Sequence, residues 1–498
     1  MHKLNKLLSS IITEEIIADA TSGDIVVTAM TADSRKVIPG SMFVAVRGPL
    51  NDGHLYIEDA INRGASVIVA EELPTSGRTG VTFVKVGNAA VALGYLASEW
   101  YGNPSRHLTL VGVTGTNGKT TVATLLYRMA QLSGQKAGLL STVENRVDND
   151  VEPALNTTPS PLETNRLLRL MVDAGCTFAA MEVSSHGMTQ HRTVGLHFAG
   201  GVFTNLTRDH LDYHGSFKEY LNAKKSFFDT LPASAFALYN NDDRNGAVMV
   251  QNTRARKLSY GLTGNPDYRG RVIADSFEGM ELQLDGIDVQ TCFVGRFNAY
   301  NLTAVFATWV ALGHEPYGTA VTLSRLTPVA GRFQPFRASD GTTVIVDYAH
   351  TPDALENVLK TINEIVGGKH EIYTVVGAGG DRDAGKRPMM GAVAARLSDR
   401  LVITSDNPRN ENAADIAAQI LEGVLTLPVA RAKTVTVIDR EKAIADTIIS
   451  APPGTVILIA GKGHETYQEF ENRRRIHFDD REHAVSALKL RCVPVQPD

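Results

Sequence analysis

Apolar residues recur along this chain with two different periods, and the period switches from stretch to stretch. Short β-rich runs at 41–46 (SMFVAV), 66–70 (SVIVA) and 81–86 (VTFVKV) read as strands, while helix-spaced apolar positions cover 56–62 and 89–100. They predict a small α/β unit ending near the pattern-breaking YGNPSRH (101–107). The next strand, HLTLVGV (107–113), runs into glycines, and beyond Lys119 the apolar residues Val122, Leu125, Leu126, Met129 and Leu132 have helix spacing up to Gly134. FAAMEVSS (178–185) and AGGVFTNL (199–206) add strands before the glycine-marked PVAGRFQPF. The last region repeats strand then helix, with strands at 342–347, 371–376, 400–405, 434–438 and 455–460. Such alternation predicts mostly parallel sheets covered on both faces. The expected fold class is α/β in three domains: a small N-terminal α/β domain (1–106), a central phosphate-loop domain (107–336) and a Rossmann-like C-terminal domain (337–498).

In such sheets ligands bind beyond the carboxyl ends of the strands, and chemistry-bearing residues crowd there. The stretch GTNGKTT (115–121) departs from G-x-x-x-x-G-K-[ST], which would place a glycine where Val113 stands; glycines fall instead at Gly112 and Gly115. Strand, glycine turn and helix start are nonetheless the context of a phosphate loop, with backbone N–H groups and the positive helix end facing an anion. Lys119 would reach the β- and γ-phosphates and the Thr120 hydroxyl would hold Mg²⁺; the bland alternative is a glycine turn with an exposed lysine. Glu182 is an acid within an apolar strand, either a Mg²⁺ ligand near the loop or a solvent-facing edge residue. His210, alone in TRDHLDYHG, is a weak signal.

Lys224 is a stronger one. Ser216 and Glu219 form a capping box, and the apolar spacing of the helix turns Lys224 inward, with Lys225 on the polar side beside Lys218 and Asn222. An inward lysine loses hydration and its pKa falls, so the neutral amine can act as a nucleophile or take up CO₂ as a carbamate; the alternative is a lysine that snorkels to solvent. Asp347, beside His350, ends a buried strand and reads as a nucleotide-side acid. Arg387 and Arg409 are planar donors suited to carboxylates, although either could lie on the surface.

Length allows about three domains by the ordinary domain-size prior. With 43% hydrophobic and 21% charged residues and a net charge of −5 among 498 residues, nothing points to nucleic acid or an anionic membrane. Acids interrupt the start of the chain where a secretory signal would be apolar, and no run is long enough to span a bilayer. Cys176, Cys292 and Cys492 are far apart, which suits a reducing cytoplasm and excludes a cysteine-built zinc site.

Nearly the whole chain resembles the Mur ligases of peptidoglycan synthesis. The resemblance rests on DSRKVIPGSMFVAVRG, GVTGTNGKTT, NTTP, MEVSSHGMTQHR, FTNLTRDHLDYHG, YLNAK, VDYAHTPDAL, GGDRDAGKRP, DNPR and GKGHETYQ. The family loop is G-T-x-G-K-[ST]-[ST], so the glycine spacing is the ligase version. The resemblance implies an ATP- and Mg²⁺-dependent, cytoplasmic, monomeric enzyme. It would join meso-diaminopimelate to UDP-MurNAc-L-Ala-D-Glu through an acyl phosphate. It assigns ATP to Gly115, Thr116, Asn117, Gly118, Lys119, Thr120, Thr121, Asn301, Arg332 and Asp347. The muramoyl-dipeptide falls to Thr157, Thr158, Ser184, Gln190 and Arg192, with Ser34 at the uridine end. Mg²⁺ falls to Thr120, Glu182, His210 and carbamylated Lys224. Diaminopimelate falls to Arg387, Asp406, Asn407, Pro408, Arg409, Gly461 and Glu465. The rivals are a lysine-adding or folylpolyglutamate synthetase-like ligase and, from another class, a phosphate-loop kinase or nucleotide switch.

Overall fold

The computed structural model describes residues 2–17, 25–48, 51–73 and 78–491; Cys492 lies outside them. Three sheets follow one another along the chain. The first has five strands in the order Glu15–Ile17, Thr82–Lys85, Ala65–Ala70, Ser41–Val44, Met30–Thr31, parallel except for the first pair. Successive residues of its strands serve opposite faces. Met42, Val44, Val67 and Val69 enter one core, and Phe43, Ala45, Ile68 and Ala70 enter the other.

The second sheet has eleven strands. Its middle is parallel: Ala137–Leu140, Phe178–Glu182, Thr109–Thr114, Gly200–Phe203, Phe236–Asn240 and Arg256–Gly261 lie side by side. Both ends depart from the mostly parallel expectation. Tyr268–Ser276, Gly279–Leu284 and Ile287–Thr291 form an antiparallel meander at one edge, and Glu144–Val147 pairs with Asp150–Pro153 at the other. The reason is local: Asp285–Gly286 and Asp148–Asn149 are two-residue connections, too short for a crossover, and Asp285, Gly286 and Asp148 have positive φ.

The third sheet runs Gln334–Arg337, Thr343–Asp347, Val456–Ala460, Ile372–Val376, Arg400–Ile403, Lys433–Thr436, and only its first pair is antiparallel. Separate hydrophobic cores cover its two faces. Beneath the loops at its carboxyl end lies a buried ion pair: Arg440 Nε and Nη2 donate to Asp480 at 2.8 and 2.7 Å, and Nη2 also reaches the Ala460 carbonyl.

The strands expected at 178–185 and 199–206 stop at Glu182 and Phe203, so residues 183–184 and 204–206 become loops at the end of the sheet and Ser185 opens the short helix Ser185–Thr189. The helix Phe217–Asp229 packs across this end of the sheet. Gly112 lies beneath it: a Cβ there would run into the Phe227 ring and sit 3.0 Å from the Phe198 ring. Gly112 is therefore a packing glycine and no part of the phosphate loop. Gly112→Ala should cost about 1–3 kcal/mol through overpacking, read as a lower denaturation midpoint; an unchanged midpoint would show that the helix does not press on this strand.

Candidate active site

The loop 115–118 leaves the strand Thr109–Thr114 and caps the helix Lys119–Leu132. It is clamped from the neighbouring strand end. Thr116 N–H donates to the Asn205 carbonyl (2.8 Å), Asn117 N–H to Asn205 Oδ1 (2.9 Å), and the Thr204 hydroxyl to the Asn117 carbonyl (2.6 Å). The clamp requires glycine. A side chain on Gly115 would collide with the Thr204 hydroxyl, and at Gly118, where φ is +86°, a Cβ would lie 2.6 Å from Asn301 Oδ1. The structure thus brings Asn301 against the loop with which the family resemblance groups it.

Lys119 folds back on its own loop, donating to the carbonyls of Gly115 (3.0 Å) and Thr116 (2.9 Å). Lys224 is buried and donates to the same Gly115 carbonyl at 2.7 Å, with its ammonium 4.8 Å from the Tyr220 ring centre. Burial lowers the pKa of both amines; Lys119 lowers that of Lys224 further, while Glu182 and Asp209 oppose the fall at Lys119. The inward turn of Lys224 expected from helix spacing is present. Lys225 departs from its expected solvent-facing place: it is buried too, because Asp229 one turn on draws it into an ion pair at 2.7 Å.

Glu182 is fully buried on a central strand, not on an edge. Its carboxylate accepts from the Thr142 N–H (2.8 Å) and hydroxyl (3.1 Å), and Thr142 also donates to Thr157 (3.0 Å). A second network adjoins it. The Thr158 hydroxyl donates to the Glu182 carbonyl (2.9 Å) and to Ser184 (3.1 Å). Arg192 donates to the Thr158 carbonyl (2.6 Å) and to Gln190 (2.7 Å), which reaches the Tyr213 hydroxyl (3.1 Å). His210, at φ +53°, faces the His186 ring at 4.9 Å between centroids and lies 3.4 Å from Asp209. Burial lowers His210 to about 3 against the pull of Asp209. Among the described residues no three His, Cys, Asp or Glu side chains converge as a metal cage.

The third sheet faces the loop. Arg332 Nη2 donates to the Thr120 hydroxyl (3.3 Å), its guanidinium stacks 4.3 Å from the Tyr348 ring centre, and its buried Nε has no hydrogen-bond partner among the described residues. Asp347 accepts the Phe333 N–H at 2.7 Å, and burial pushes its carboxyl up. Asn117 Nδ2 donates to Asp353 at 3.2 Å. Sequence reasoning missed Asp209 and Lys386. Burial pushes Asp209 up, but His210, His350, Lys386 and Lys119 outweigh it and hold the carboxyl below its ordinary range.

The remaining predicted residues gather at the carboxyl end of the third sheet. Asn407 donates to Glu465 (2.8 Å) and accepts from Lys462 (2.9 Å), which also meets Glu465 (3.2 Å) and Asp406 (3.7 Å). Lys462 is fully buried and went unnoticed in the sequence, because a lysine between glycines carries no burial signal. At Gly461 a Cβ would lie 2.5 Å from Asp406 Oδ2, so the strand end must be glycine. Arg387 and Arg409 straddle one turn, donating to the Gly379 (3.1 Å) and Gly380 (2.7 Å) carbonyls. Pro408 precedes Arg409, whose φ is +52°. Each arginine already meets a protein carboxylate: Arg387 is bidentate to Glu411 at 2.8 Å, and Arg409 is 3.3 Å from Glu469. Ser34 is separate. It is buried in the first sheet's unit, close enough to Asp59 to lower that carboxyl's pKa, and no hydrogen bond among the described residues joins it to these clusters.

A lysine-bearing phosphate loop opposed by a second α/β domain with arginine-rich loops is the site of a nucleotide-dependent transfer enzyme. The Mur ligase middle domain matches residues 113–309, the Mur ligase glutamate ligase domain residues 331–463, and the Mur ligase family catalytic domain residues 26–101. The chain belongs to the Mur ligase family. It is 53% identical to the UDP-N-acetylmuramoyl-L-alanyl-D-glutamate–2,6-diaminopimelate ligase of Parabacteroides distasonis, over 92% of this chain and 93% of that one. Its identity to the ligase of the same name from Geobacillus kaustophilus is 43%, over 93% and 95%. A solved structure of a ligase of that name superposes with a TM-score of 0.67 at 30% identity, covering 95% of this chain and 97% of the other. The MurF ligase of Thermotoga maritima in complex with ADP shares the fold, with a TM-score of 0.60 at 19% identity over 95% and 99%.

Two half-buried imidazoles near Arg332 give a pH dependence. Burial, with Lys386, holds His350 at about 4, and burial, with Arg332, holds His464 at about 3. Both folded values lie below the ordinary 6.5, so the unfolded chain binds more protons as the pH falls below 6.5. Their contribution to stability is therefore complete above pH 6.5 and is lost progressively on acidification toward 4. The urea midpoint should fall between pH 6.5 and 4; a flat midpoint across that window would show that these rings protonate freely in the folded protein.

Proposed function

We propose that the protein is an ATP-dependent, ADP-forming ligase that joins meso-2,6-diaminopimelate to UDP-MurNAc-L-Ala-D-Glu, as a cytoplasmic monomer making peptidoglycan precursor. The observation that carries this reading is the Gly115 carbonyl shared by Lys119 and the buried Lys224, with Arg332 reaching the same loop's Thr120 from the side of the third sheet. A carboxylate and an amine do not condense in water, because hydroxide is a poor leaving group. Phosphorylation of the glutamyl γ-carboxylate by ATP gives an acyl phosphate; the amine attacks its carbonyl carbon, phosphate leaves, and an amide remains. This chemistry asks the protein for positioning and charge stabilisation, with no side-chain nucleophile.

Lys119 exchanges the loop carbonyls for phosphate oxygens, with the remaining residues of 115–121, Asn301, Arg332 and Asp347 holding the nucleotide. The orphaned Arg332 Nε supports an anionic ligand there. The donor set fits Mg²⁺, which keeps several waters and takes few protein ligands, better than a metal needing a full protein cage. Thr120, Glu182, His210 and Lys224 as its carbamate would hold it, and when bound it offsets charge on the phosphates. The lowered pKa of Lys224 supports the neutral amine that carbamate formation needs. Thr157, Thr158, Ser184, Gln190 and Arg192 hold the dipeptide and Ser34 the uridine end. Asp406, Asn407, Pro408, Gly461 and Glu465 frame the amino acid, whose distal carboxylate goes to Arg409. Arg387 supports the same turn from behind, through Glu411 and the Gly379 carbonyl.

Release of ADP should require UDP-MurNAc-L-Ala-D-Glu, and amide formation should further require meso-diaminopimelate. Arg409→Ala should raise KM for diaminopimelate at least about tenfold, the scale of a lost charge-assisted pair, with KM for ATP nearly unchanged. Equal use of L-lysine by the wild-type enzyme would overturn the substrate assignment and leave the ligase chemistry standing.

Lys224→Ala should lose nearly all activity while keeping its melting temperature within a few degrees, and acetate or formate should restore part of it by supplying ligand oxygens. Full activity in this variant would remove the carbamate from the mechanism.

A further inference from the structure

The hairpin of Tyr467–Phe470 and Arg474–His477 follows the GKGHE loop and packs on the DNPR turn. Its acid, Glu469, lies between two guanidiniums. Arg409 Nε donates to one carboxylate oxygen at 3.3 Å, and Arg475 donates to the other through Nε and Nη2, both at 2.7 Å. The asymmetry assigns Glu469 to Arg475 first: two short contacts outweigh one long one. Arg475 is half-exposed, but its guanidinium stacks 4.0 Å from the Tyr467 ring centre, which holds it in place. The acid is fastened as well. Its N–H donates to Asn407 Oδ1 at 2.9 Å, and its carbonyl accepts the Arg409 N–H at 3.1 Å. Hairpin and turn therefore form one unit.

We infer that Arg475 is a specificity-determining residue: by neutralising Glu469 it leaves Arg409 as a net positive charge for the distal carboxylate of the incoming amino acid. This rests on the diaminopimelate reading above. The cluster holds two cations and one anion, so the distal carboxylate of diaminopimelate completes it, whereas lysine brings the distal ammonium without that carboxylate. Of the nearby acids, Asp406 and Glu465 share Lys462, at 3.7 and 3.2 Å, and burial together with Asp406 raises the Glu465 pKa, which favours its neutral form. Nη2 of Arg409 makes no hydrogen bond among the described residues, so a donor remains for the ligand. Without Arg475, Glu469 would claim Arg409 alone and the cluster would be neutral before substrate arrived.

The test compares kcat/KM for meso-diaminopimelate and L-lysine in wild type, Arg475→Gln, Arg475→Lys and the double variant Arg475→Gln/Glu469→Gln. Arg475→Gln should lower the diaminopimelate-to-lysine ratio about fivefold, the scale of one partly exposed ion pair. The change should lie in KM for diaminopimelate, with KM for ATP unmoved. Arg475→Lys should recover most of the ratio, and so should the double variant, which restores the net charge without restoring the salt bridge. An unchanged ratio in Arg475→Gln, a parallel loss for both amino acids, or no recovery in the double variant would overturn the inference. A wild-type enzyme without preference for diaminopimelate would instead overturn the functional reading on which it rests.

Discussion

The arrangement turns on one carbonyl oxygen. Gly115 accepts from the half-buried Lys119 and from the buried Lys224, two amines that repel each other when charged and have lost hydration. Burying like charges is strongly unfavourable unless nearby groups or a ligand oppose them. Glu182 and Asp209 supply part of that opposition. The rest of the local structure serves to keep the two lysines there. Gly112 lets the Lys224 helix lie directly on the strand, the Thr116 and Tyr220 hydroxyls tie loop to helix at 3.0 Å, and Asn205 holds the loop backbone. The cost of that crowding is what makes the loop receptive to a polyanion or, at Lys224, to loss of the positive charge.

The third sheet's loops are fitted to the same end. Arg332 reaches the Thr120 hydroxyl, Asn117 reaches Asp353, and Lys386 lies close enough to Asp209 to lower its pKa. Each of these contacts joins residues more than 100 positions apart in the chain. In the proposed reaction a nucleotide on the loop and an amino acid on the DNPR turn would thereby be held by elements that already touch.

Much of this was legible in the sequence, because the strand and helix periods are strong and the loops fall where an α/β fold puts its ligands. The inward turn of Lys224 followed from helix spacing alone. Lys225 misled for an instructive reason: spacing places it about 100° around the helix from Lys224, but Asp229 one turn on pairs with it at 2.7 Å and the side chain is buried. One of the antiparallel edges has a sequence signal, the Asp-Gly turn of QLDGIDV, in a stretch to which the strand-and-helix pattern assigned no element. Lys462, Asp209 and Glu469 were not recoverable. A single charge in a loop has no periodicity, and its burial is decided by residues that arrive from other strands.

The two ends of the site differ in how their charge is balanced. At the amino-acid end the protein supplies its own counterions: Glu411 for Arg387, Glu469 for Arg409 and Arg475, Asp406 and Glu465 for Lys462. At the phosphate loop Lys119 and Lys224 hydrogen-bond, among the described residues, to carbonyls alone. The proposed substrates divide in the same way. ATP is a polyanion and suits the end left positive, where attraction alone draws it in. Diaminopimelate at neutral pH carries two carboxylates and two ammonium groups and no net charge. A site for it gains nothing from net attraction and must instead alternate donors and acceptors in register, since a misplaced group leaves a desolvated charge unmatched. That is why the acids at this end belong to recognition as much as the arginines do.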